Sequence, residues 1–159
     1  NGGFYEIYTT TDGGTTWTRV PTANIPAPRS ATEYAIVNLY SVQGNTIWFG
    51  TNEGRMYKSI DKGLNWTVSV VSSLVTDQVT DVAFRTPTEG IAVVVDAAGT
   101  VFSQYISTDA GATWTSFTPT SGTFYTSDLA AIPNSTVNPN DMLPLYRDKK
   151  VCENTTFNT

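Results

Sequence analysis

The sequence contains no histidine, one cysteine and few charged residues. Without histidine, the chain lacks the commonest general base and the commonest metal ligand in proteins. Cys152 has no second cysteine with which to form an internal disulfide, and no histidine is present to activate its thiol as a nucleophile. No Asp-x-Asp-x-Asp calcium loop occurs either. We therefore predict no metal site, no cofactor and no catalytic activity.

Charge and long apolar runs are also scarce. Charged residues make up 14% of the 159 residues, and the net charge is −5. An acidic chain without clustered Lys and Arg is not expected to bind nucleic acid or an anionic membrane. No apolar run reaches the roughly 18 residues that a membrane span needs. A surface rich in Thr, Ser, Asn and Gly is typical of extracellular β proteins, so we predict a secreted or cell-surface location.

One eight-residue motif, Ser/Thr-x-Asp-x-Gly-x-x-Trp, occurs three times, with starts 49 and 48 residues apart. A second marker begins at residues 32, 80 and 127 and keeps nearly the same spacing. Two markers in one register predict an internal repeat of about 48 residues. We call the copies the first, second and third Asp motifs. Their shared positions are, in chain order, Thr10, Asp12, Gly14 and Trp17; Ser59, Asp61, Gly63 and Trp66; and Ser107, Asp109, Gly111 and Trp114.

Each repeat has the composition of short strands separated by turns. In the second repeat, β-branched and aromatic residues predict strands over 35–43, 46–51, 55–60 and 66–71. In the third repeat, the expected strands are 80–86, 90–96, 100–107 and 114–118, and the first repeat retains 4–9 and 16–20. No stretch shows a helical period. Four strands in each repeat of about 48 residues predict an all-β fold, a β-propeller of four-stranded antiparallel blades.

The repeat also divides the chain. Residues 1–133 are expected to form propeller blades: a partial blade over 1–31, blades over 32–79 and 80–126, and the first strand of another blade over 127–133. Residues 134–159 leave the pattern and are predicted to be a loop or an extension. A ring of six to eight such blades needs roughly 290–380 residues. We therefore expect the rest of a longer chain, or sister chains, to complete the ring.

The Asp motif is suited to a structural corner. Aspartate accepts hydrogen bonds from the backbone of a tight turn, Ser or Thr adds a local bond, and Gly allows a left-handed backbone conformation. We expect the Trp, which opens the fourth strand, to cover the turn and pack against the blade. An aspartate engaged in this way is a poor candidate for catalysis, so the three motifs are predicted to be structural.

The three motifs resemble the Asp-box, or BNR, repeat of β-propellers, and the resemblance covers residues 3–133. That repeat occurs in sialidases, xyloglucanase-type glycoside hydrolases, sortilin-like receptors and photosystem II assembly factor-like proteins. The phrases "NTIWFGTNEGRMYKSIDKGLNWT" and "DVAFRTPTEGIAVVVDAAGTVF" are most similar to the assembly factor-like group. That broad group includes secreted and cell-surface proteins of Bacteroidetes. The resemblance implies the fold more strongly than an activity.

Three functions remain open at this point. The first is a non-catalytic segment for protein binding, adhesion or scaffolding, with a protein or glycan partner at a cell surface. The second is a glycan-binding lectin that closes its ring by oligomerisation. The third is a segment of a glycoside hydrolase or sialidase-like propeller whose active site lies elsewhere. The sialidase Arg-Ile-Pro motif is absent here, since the two Ile-Pro pairs follow Asn24 and Ala131.

Aromatic residues outside the motifs are the candidates for ligand contact. Phe124 and Tyr125 precede a predicted first strand and are the pair least expected to lie in a core. Other aromatic residues could offer stacking faces, but most are expected to pack between blades: Tyr34, Tyr40, Trp48 and Tyr105.

Overall fold

The computed structural model describes residues 3–117, which form an all-β structure with one short 3₁₀ helix at Thr22–Asn24. In this part of the chain, no helix is long and apolar enough to cross a membrane. The strands are β1 Tyr8–Thr9, β2 Thr18–Arg19, β3 Ala35–Gln43, β4 Thr46–Thr51, β5 Arg55–Ser59, β6 Thr67–Val70, β7 Gln78–Phe84, β8 Gly90–Val95, β9 Phe102–Ser107 and β10 Thr115–Phe117.

The strands form two four-stranded antiparallel sheets and one two-stranded pair. We call β1–β2 the first blade, β3–β6 the second and β7–β10 the third. In both complete blades the strands follow one another in chain order, with each strand paired to the next. This is the meander that a propeller blade requires. The predicted fold class, a β-propeller of four-stranded blades, is confirmed.

Strand bounds differ most from the prediction in the first blade. The sequence predicts strands over 4–9 and 16–20, whereas β1 and β2 contain two residues each. Their pairing joins Tyr8 to Arg19 and Thr9 to Thr18. In the complete blades, the equivalent third strand is paired on both sides. Within the described residues β1 pairs only with β2, so fewer of its residues are held in a ladder.

Two of the three core clusters in the described residues are layers between successive blades. One layer joins the second and third blades, where the rings of Trp48 and Phe84 stack with centroids 3.8 Å apart. Gly50 allows these blades to approach closely, because a Cβ there would lie 2.8 Å from Val79 of the third blade. A second layer joins the first and second blades and contains Val20, Ile25, Tyr57 and Trp66.

The predicted division of the chain extends beyond the described residues. Strand β7 begins at Gln78, two residues before the predicted start of that repeat. The predicted first strand over 127–133 and the extension over 134–159 lie outside the described part, as do Phe124 and Tyr125. These assignments stay predictions.

Candidate binding face at one end of the blades

The connections between strands separate the blades into two ends. Because neighbouring strands are antiparallel, the β3–β4 turn and the Asp motif between β5 and β6 lie at one end. The amide of Lys62 in that motif donates to the carbonyl of Asn45 in that turn, at 2.9 Å. The third blade repeats this contact between Ala110 and Thr88, at 2.8 Å. We call this the motif end. The opposite end carries the β4–β5 turn and the connections between blades.

A cavity lies at this opposite end, which we call the cavity end. It measures about 730 Å³ and is bounded by the segment 3–6, Arg19 and the connection 28–35. Two exposed aromatic side chains line it, Phe4 at 58% exposure and Tyr34 at 56%. Arg19 and Glu6 form an ion pair at its side, with 3.1 Å between Nη2 and Oε1. The cavity therefore combines two apolar faces with one charged pair.

A second cavity of about 460 Å³ adjoins the first. It lies between the β4–β5 turn, the connection from the second to the third blade, and the β8–β9 turn. Thr32 and Tyr34 line both cavities, so these two residues lie at their boundary. Polar side chains predominate in its lining: Asn52, Glu53, Thr76, Gln78 and Asp96.

A buried ion pair fixes the connection that lines the first cavity. Arg55, at the start of β5, donates from Nε to Oε1 of Glu33 at 2.8 Å and from Nη2 to Oε2. The same Nη2 donates to the carbonyl of Ala27 at 3.1 Å and to the hydroxyl of Tyr57 at 2.7 Å. The backbone amide of Arg29 donates to Glu33 as well. One arginine thus holds residues 27–33 against the sheet.

The titration properties of this pair are those of a structural contact. Burial alone would raise the pKa of Glu33, but hydrogen bonds from Arg55 and the Arg29 amide outweigh it and hold the pKa below its usual 4.5. Burial would lower the pKa of Arg55, but the Glu33 carboxylate raises it above its usual value. Burial raises the pKa of Tyr57 to about 12 and also raises that of Tyr5. None of these groups changes protonation near neutral pH.

Glu53 ties the same connection to the β4–β5 turn. Its Oε1 accepts hydrogen bonds from the hydroxyls of Ser30 and Thr32, the latter at 3.1 Å. Its backbone carbonyl accepts from Nη1 of Arg29 at 3.3 Å. Its Oε2 is buried and has no hydrogen-bond partner among the described residues. The connection 28–35, which lines both cavities, is therefore held by the β4–β5 turn as well as by Arg55.

The three Asp motifs lie at the motif end, away from both cavities. In the second motif, the hydroxyl of Ser59 donates to Asp61 at 2.8 Å and accepts from the amide of Gly63 at 2.8 Å. Asp61 also accepts from the amide and side chain of Asn65, at 2.9 and 2.7 Å. The first and third motifs repeat the pattern, with Thr10, Asp12 and Gly14 and with Ser107, Asp109 and Gly111.

These hydrogen bonds engage the motif aspartates within their own turns. Bonds from the side chain and amide of the residue four positions later are the largest cause, and they lower the pKa of Asp12, Asp61 and Asp109 to about 2. The motif glycines have φ of 92°, 90° and 79° in chain order. The residue before each glycine is also left-handed, including Lys62 and Ala110 at φ 62°. The shared residues of the motif did not indicate this second left-handed position.

The expectation that each motif Trp packs against a blade needs a correction at Trp17. Trp66 is 8% exposed and Trp114 is half-buried against the core, but Trp17 is 61% exposed. The last two pack against the blade that precedes them, and the described residues contain no blade before Trp17. The other aromatic candidates differ in exposure. Trp48 is buried and Tyr105 is half-buried, whereas Tyr34 and Tyr40 are exposed.

Neither the Glu33–Arg55 pair nor the two cavities were predicted from the sequence. The repeat pattern places Glu33 in a marker at the start of a strand, but β3 begins at Ala35 and residues 32–34 belong to the connection that lines the cavities. The available signal was that an arginine and a glutamate stand beside strands in a chain with few charges. Among residues 3–117, no group of three or more His, Cys, Asp or Glu side chains could hold a metal ion.

Comparisons with known proteins support the fold. No family model and no curated protein sequence matches the chain. A solved structure of YCF48 bound to D1 peptide matches with a TM-score of 0.50 and 20% identity, covering 70% of this chain and 33% of that one. YCF48 from Cyanidioschyzon merolae matches with a TM-score of 0.44 and 22% identity, covering 68% and 29%. The chain thus spans about a third of the length of these structures.

Proposed function

We propose that this chain is a non-catalytic segment of a protein-binding β-propeller, and that it takes an extended peptide in the cavity of about 730 Å³. The observation that carries the proposal is the pair of exposed aromatic side chains, Phe4 and Tyr34, on the walls of that cavity. Aromatic side chains in concave sites supply much of the binding energy of peptides and proteins. YCF48, a propeller of similar fold, has been solved bound to D1 peptide, which is consistent with a peptide ligand.

The buried ion pair supports a binding role because it orders the cavity before a ligand arrives. Arg55 fixes the carbonyl of Ala27 and the carboxylate of Glu33 on the same connection that presents Tyr34. A loop that is already held in place loses little conformational entropy on binding. Since the pair stays ionised near neutral pH, we assign it to support of the site and not to acid–base catalysis.

The experiment is selection of extended peptides from a displayed random library, followed by affinity measurements with variants of the chain. We expect Tyr34→Ala and Phe4→Ala each to weaken binding of the selected peptides roughly tenfold or more, as loss of an aromatic hot spot does. Tyr40→Ala is the matched control, because Tyr40 is an exposed tyrosine on β3 that lines neither cavity.

Circular dichroism of each variant would establish that the fold is kept. Failure to enrich any peptide, or enriched peptides whose affinity is the same for Tyr34→Ala and Tyr40→Ala, would contradict the proposal.

A glycan is the second candidate ligand, and the second cavity favours it. There the exposed Tyr34 and the polar residues Asn52, Thr76 and Gln78 line the same cavity. A stacking face flanked by hydrogen-bonding groups suits a sugar ring. Binding on a glycan array that disappears with Tyr34→Ala, without enrichment of any peptide, would favour this ligand. A lectin role would also require the ring to close through oligomerisation.

We propose an extracellular or cell-surface location, with adhesion or scaffolding as the wider role. The support is compositional, because charged residues are only 14% of the chain and Thr, Ser, Asn and Gly are abundant. Fractionation of the source cells with an antibody against this chain tests the location. Recovery of the protein only from the cytoplasmic fraction would contradict it.

A further inference from the structure

The second cavity, of about 460 Å³, has acidic side chains in its lining but no basic ones. The two acids are Glu53 in the β4–β5 turn and Asp96 in the β8–β9 turn, and no Lys or Arg of residues 3–117 lines this cavity. Two exposed residues with apolar surface line it as well, Tyr34 and Val75. A ligand that matches this lining needs both positive charge and apolar surface.

Glu53 has a buried carboxyl oxygen that needs a hydrogen-bond donor. The residue is 6% exposed, and its Oε1 accepts from Ser30 and Thr32, whereas its Oε2 has no partner among the described residues. Arg29 donates to the backbone carbonyl of Glu53, and no described Lys or Arg forms an ion pair with its carboxyl group. The last torsion of a Glu side chain is broad, so a small rotation can turn Oε2 toward a ligand in the cavity. Because an unpaired buried acceptor costs free energy, a ligand that donates to this oxygen is favoured.

Asp96 supplies a second acid that its own turn holds in place. Its Oδ1 accepts from the amides of Thr100 and Val101 at 2.8 and 2.9 Å, and its Oδ2 accepts from the hydroxyl of Thr100 at 3.4 Å. These bonds, of which the one from the Val101 amide is the largest cause, hold the pKa of Asp96 below its usual 3.8. Asp96 therefore carries a negative charge at neutral pH. A carboxylate oxygen has two lone pairs, so Oδ2 can accept a further donor.

This lining suits a basic side chain better than a metal ion or an anion. No group of three or more His, Cys, Asp or Glu side chains in the described part of the chain could hold a metal ion. An anion would meet two acids and no cation. A lysine or arginine side chain has an apolar stem that can pack on Val75 and Tyr34, and a charged group that can reach the acids. The ring of a tyrosine can also attract that charge.

We propose that the second cavity binds a lysine or arginine side chain of a peptide ligand, with Glu53 and Asp96 as the acidic partners of its charged group. This assignment rests on the proposed function, because a peptide in the first cavity reaches the second where Tyr34 lines both. A peptide with a neutral residue at that position leaves Oε2 of Glu53 without a donor. The two acids therefore select for a basic residue in the ligand.

The test titrates the ¹⁵N-labelled chain with two blocked amino acids, Nα-acetyl-lysine methylamide and Nα-acetyl-arginine methylamide. We expect saturable shifts of the backbone amide resonances of Asn52 and Gly99, which line the second cavity. Nα-acetyl-norleucine methylamide is the matched control ligand, because it has an apolar stem without the charge, and it should not produce these shifts. A neutral monosaccharide is titrated in the same way.

Two variants remove the acids one at a time. Glu53→Gln and Asp96→Asn should each weaken binding of the basic ligands roughly tenfold, because each loses a charge-assisted hydrogen bond and keeps a carbonyl acceptor. Asp12→Asn is the matched control variant, since it removes an acidic side chain at the motif end and should leave the affinity unchanged. If one of the two cavity variants fails to fold, the other still measures the effect.

Three results would overturn the inference: no saturable shift with either basic ligand, equal shifts with the norleucine compound, or equal affinities of the basic ligands for the Asp12→Asn variant and for both cavity variants. Shifts with the monosaccharide alone would also overturn it and would assign this cavity to a glycan. The library selection separates this inference from the proposed function. Selected peptides that depend on Tyr34 but have no preferred Lys or Arg would support the proposed function and contradict a basic-residue pocket. Binding of the basic ligands without enrichment of any peptide would support the pocket and contradict the proposed function.

Discussion

Substitution of Gly111 by alanine tests whether the Asp motif belongs to the interface between blades. Gly111 has φ of 79°, a conformation that costs a residue with a Cβ about 1–2 kcal/mol. The new Cβ would also lie 3.2 Å from Phe84, 3.2 Å from the indole nitrogen of Trp48 and 3.3 Å from Trp114. Crowding in a packed core costs about 1–3 kcal/mol. We therefore expect Gly111→Ala to lower the free energy of unfolding by about 2–5 kcal/mol.

Gly14 provides the matched control, because it occupies the same motif position with φ of 92°. A Cβ there would meet only Trp17, at 3.6 Å, so we expect a loss of about 1–2 kcal/mol from backbone strain alone. The smaller entropy of the unfolded chain with alanine affects both variants equally and cancels in the comparison.

Urea unfolding followed by far-ultraviolet circular dichroism measures both free energies. Equal losses of unfolding free energy for Gly14→Ala and Gly111→Ala would refute the reasoning. Crowding of the third motif against the preceding blade would then contribute nothing to the loss.

Three further predictions concern the motif turns and the buried pair. The pKa values of the three motif aspartates are lowered to about 2, so their stabilisation is complete above about pH 4 and is lost between about pH 4 and 2. Replacing all three motif aspartates with Asn should make the urea midpoint depend less on pH across that window. The same pH dependence in the variant and in the unaltered chain would contradict this. Glu33→Gln should cost about 3–5 kcal/mol, because Arg55 is left buried and unpaired. Glu6→Gln, at the exposed ion pair, should cost about 0–1 kcal/mol. Equal shifts of the urea midpoint for Glu33→Gln and Glu6→Gln would disprove the role of burial. The indole of Trp114 donates to the hydroxyl of Ser69 at 3.1 Å. Ser69→Val should cost less than about 1 kcal/mol, since the indole of Trp114 can donate to the carbonyl of its own motif, as the first two motifs do. A loss above about 2 kcal/mol would show that this exchange does not occur.

The strands of the complete blades were predictable because their residues have strong local preferences. The predicted spans 35–43 and 46–51 coincide with β3 and β4, where β-branched and aromatic residues dominate between turn residues. The bulge in β3 was not predicted. The bulge follows from the left-handed conformation of Asn38 at φ 62°. A single asparagine in an apolar strand does not indicate such a conformation.

The candidate site was much less predictable than the fold. Glu33 and Arg55 are 22 residues apart, and their contact depends on the path of an irregular connection. Such a path has no periodic pattern in the sequence, unlike a strand. The cavities arise where that connection meets a turn and the start of the chain, so they are a property of three segments together. The sequence alone could indicate only which aromatic residues were available.

The two ends of the blades therefore carry different constraints on substitution. At the motif end, the motif aspartates accept hydrogen bonds within their own turns, and carbonyls of the third motif accept them from the preceding blade. A change there alters the stack itself. At the cavity end, Arg55 holds the backbone of the connection, while the side chain of Tyr34 remains exposed. Exposed positions on that connection can therefore change without loss of the buried pair or of the stack of blades.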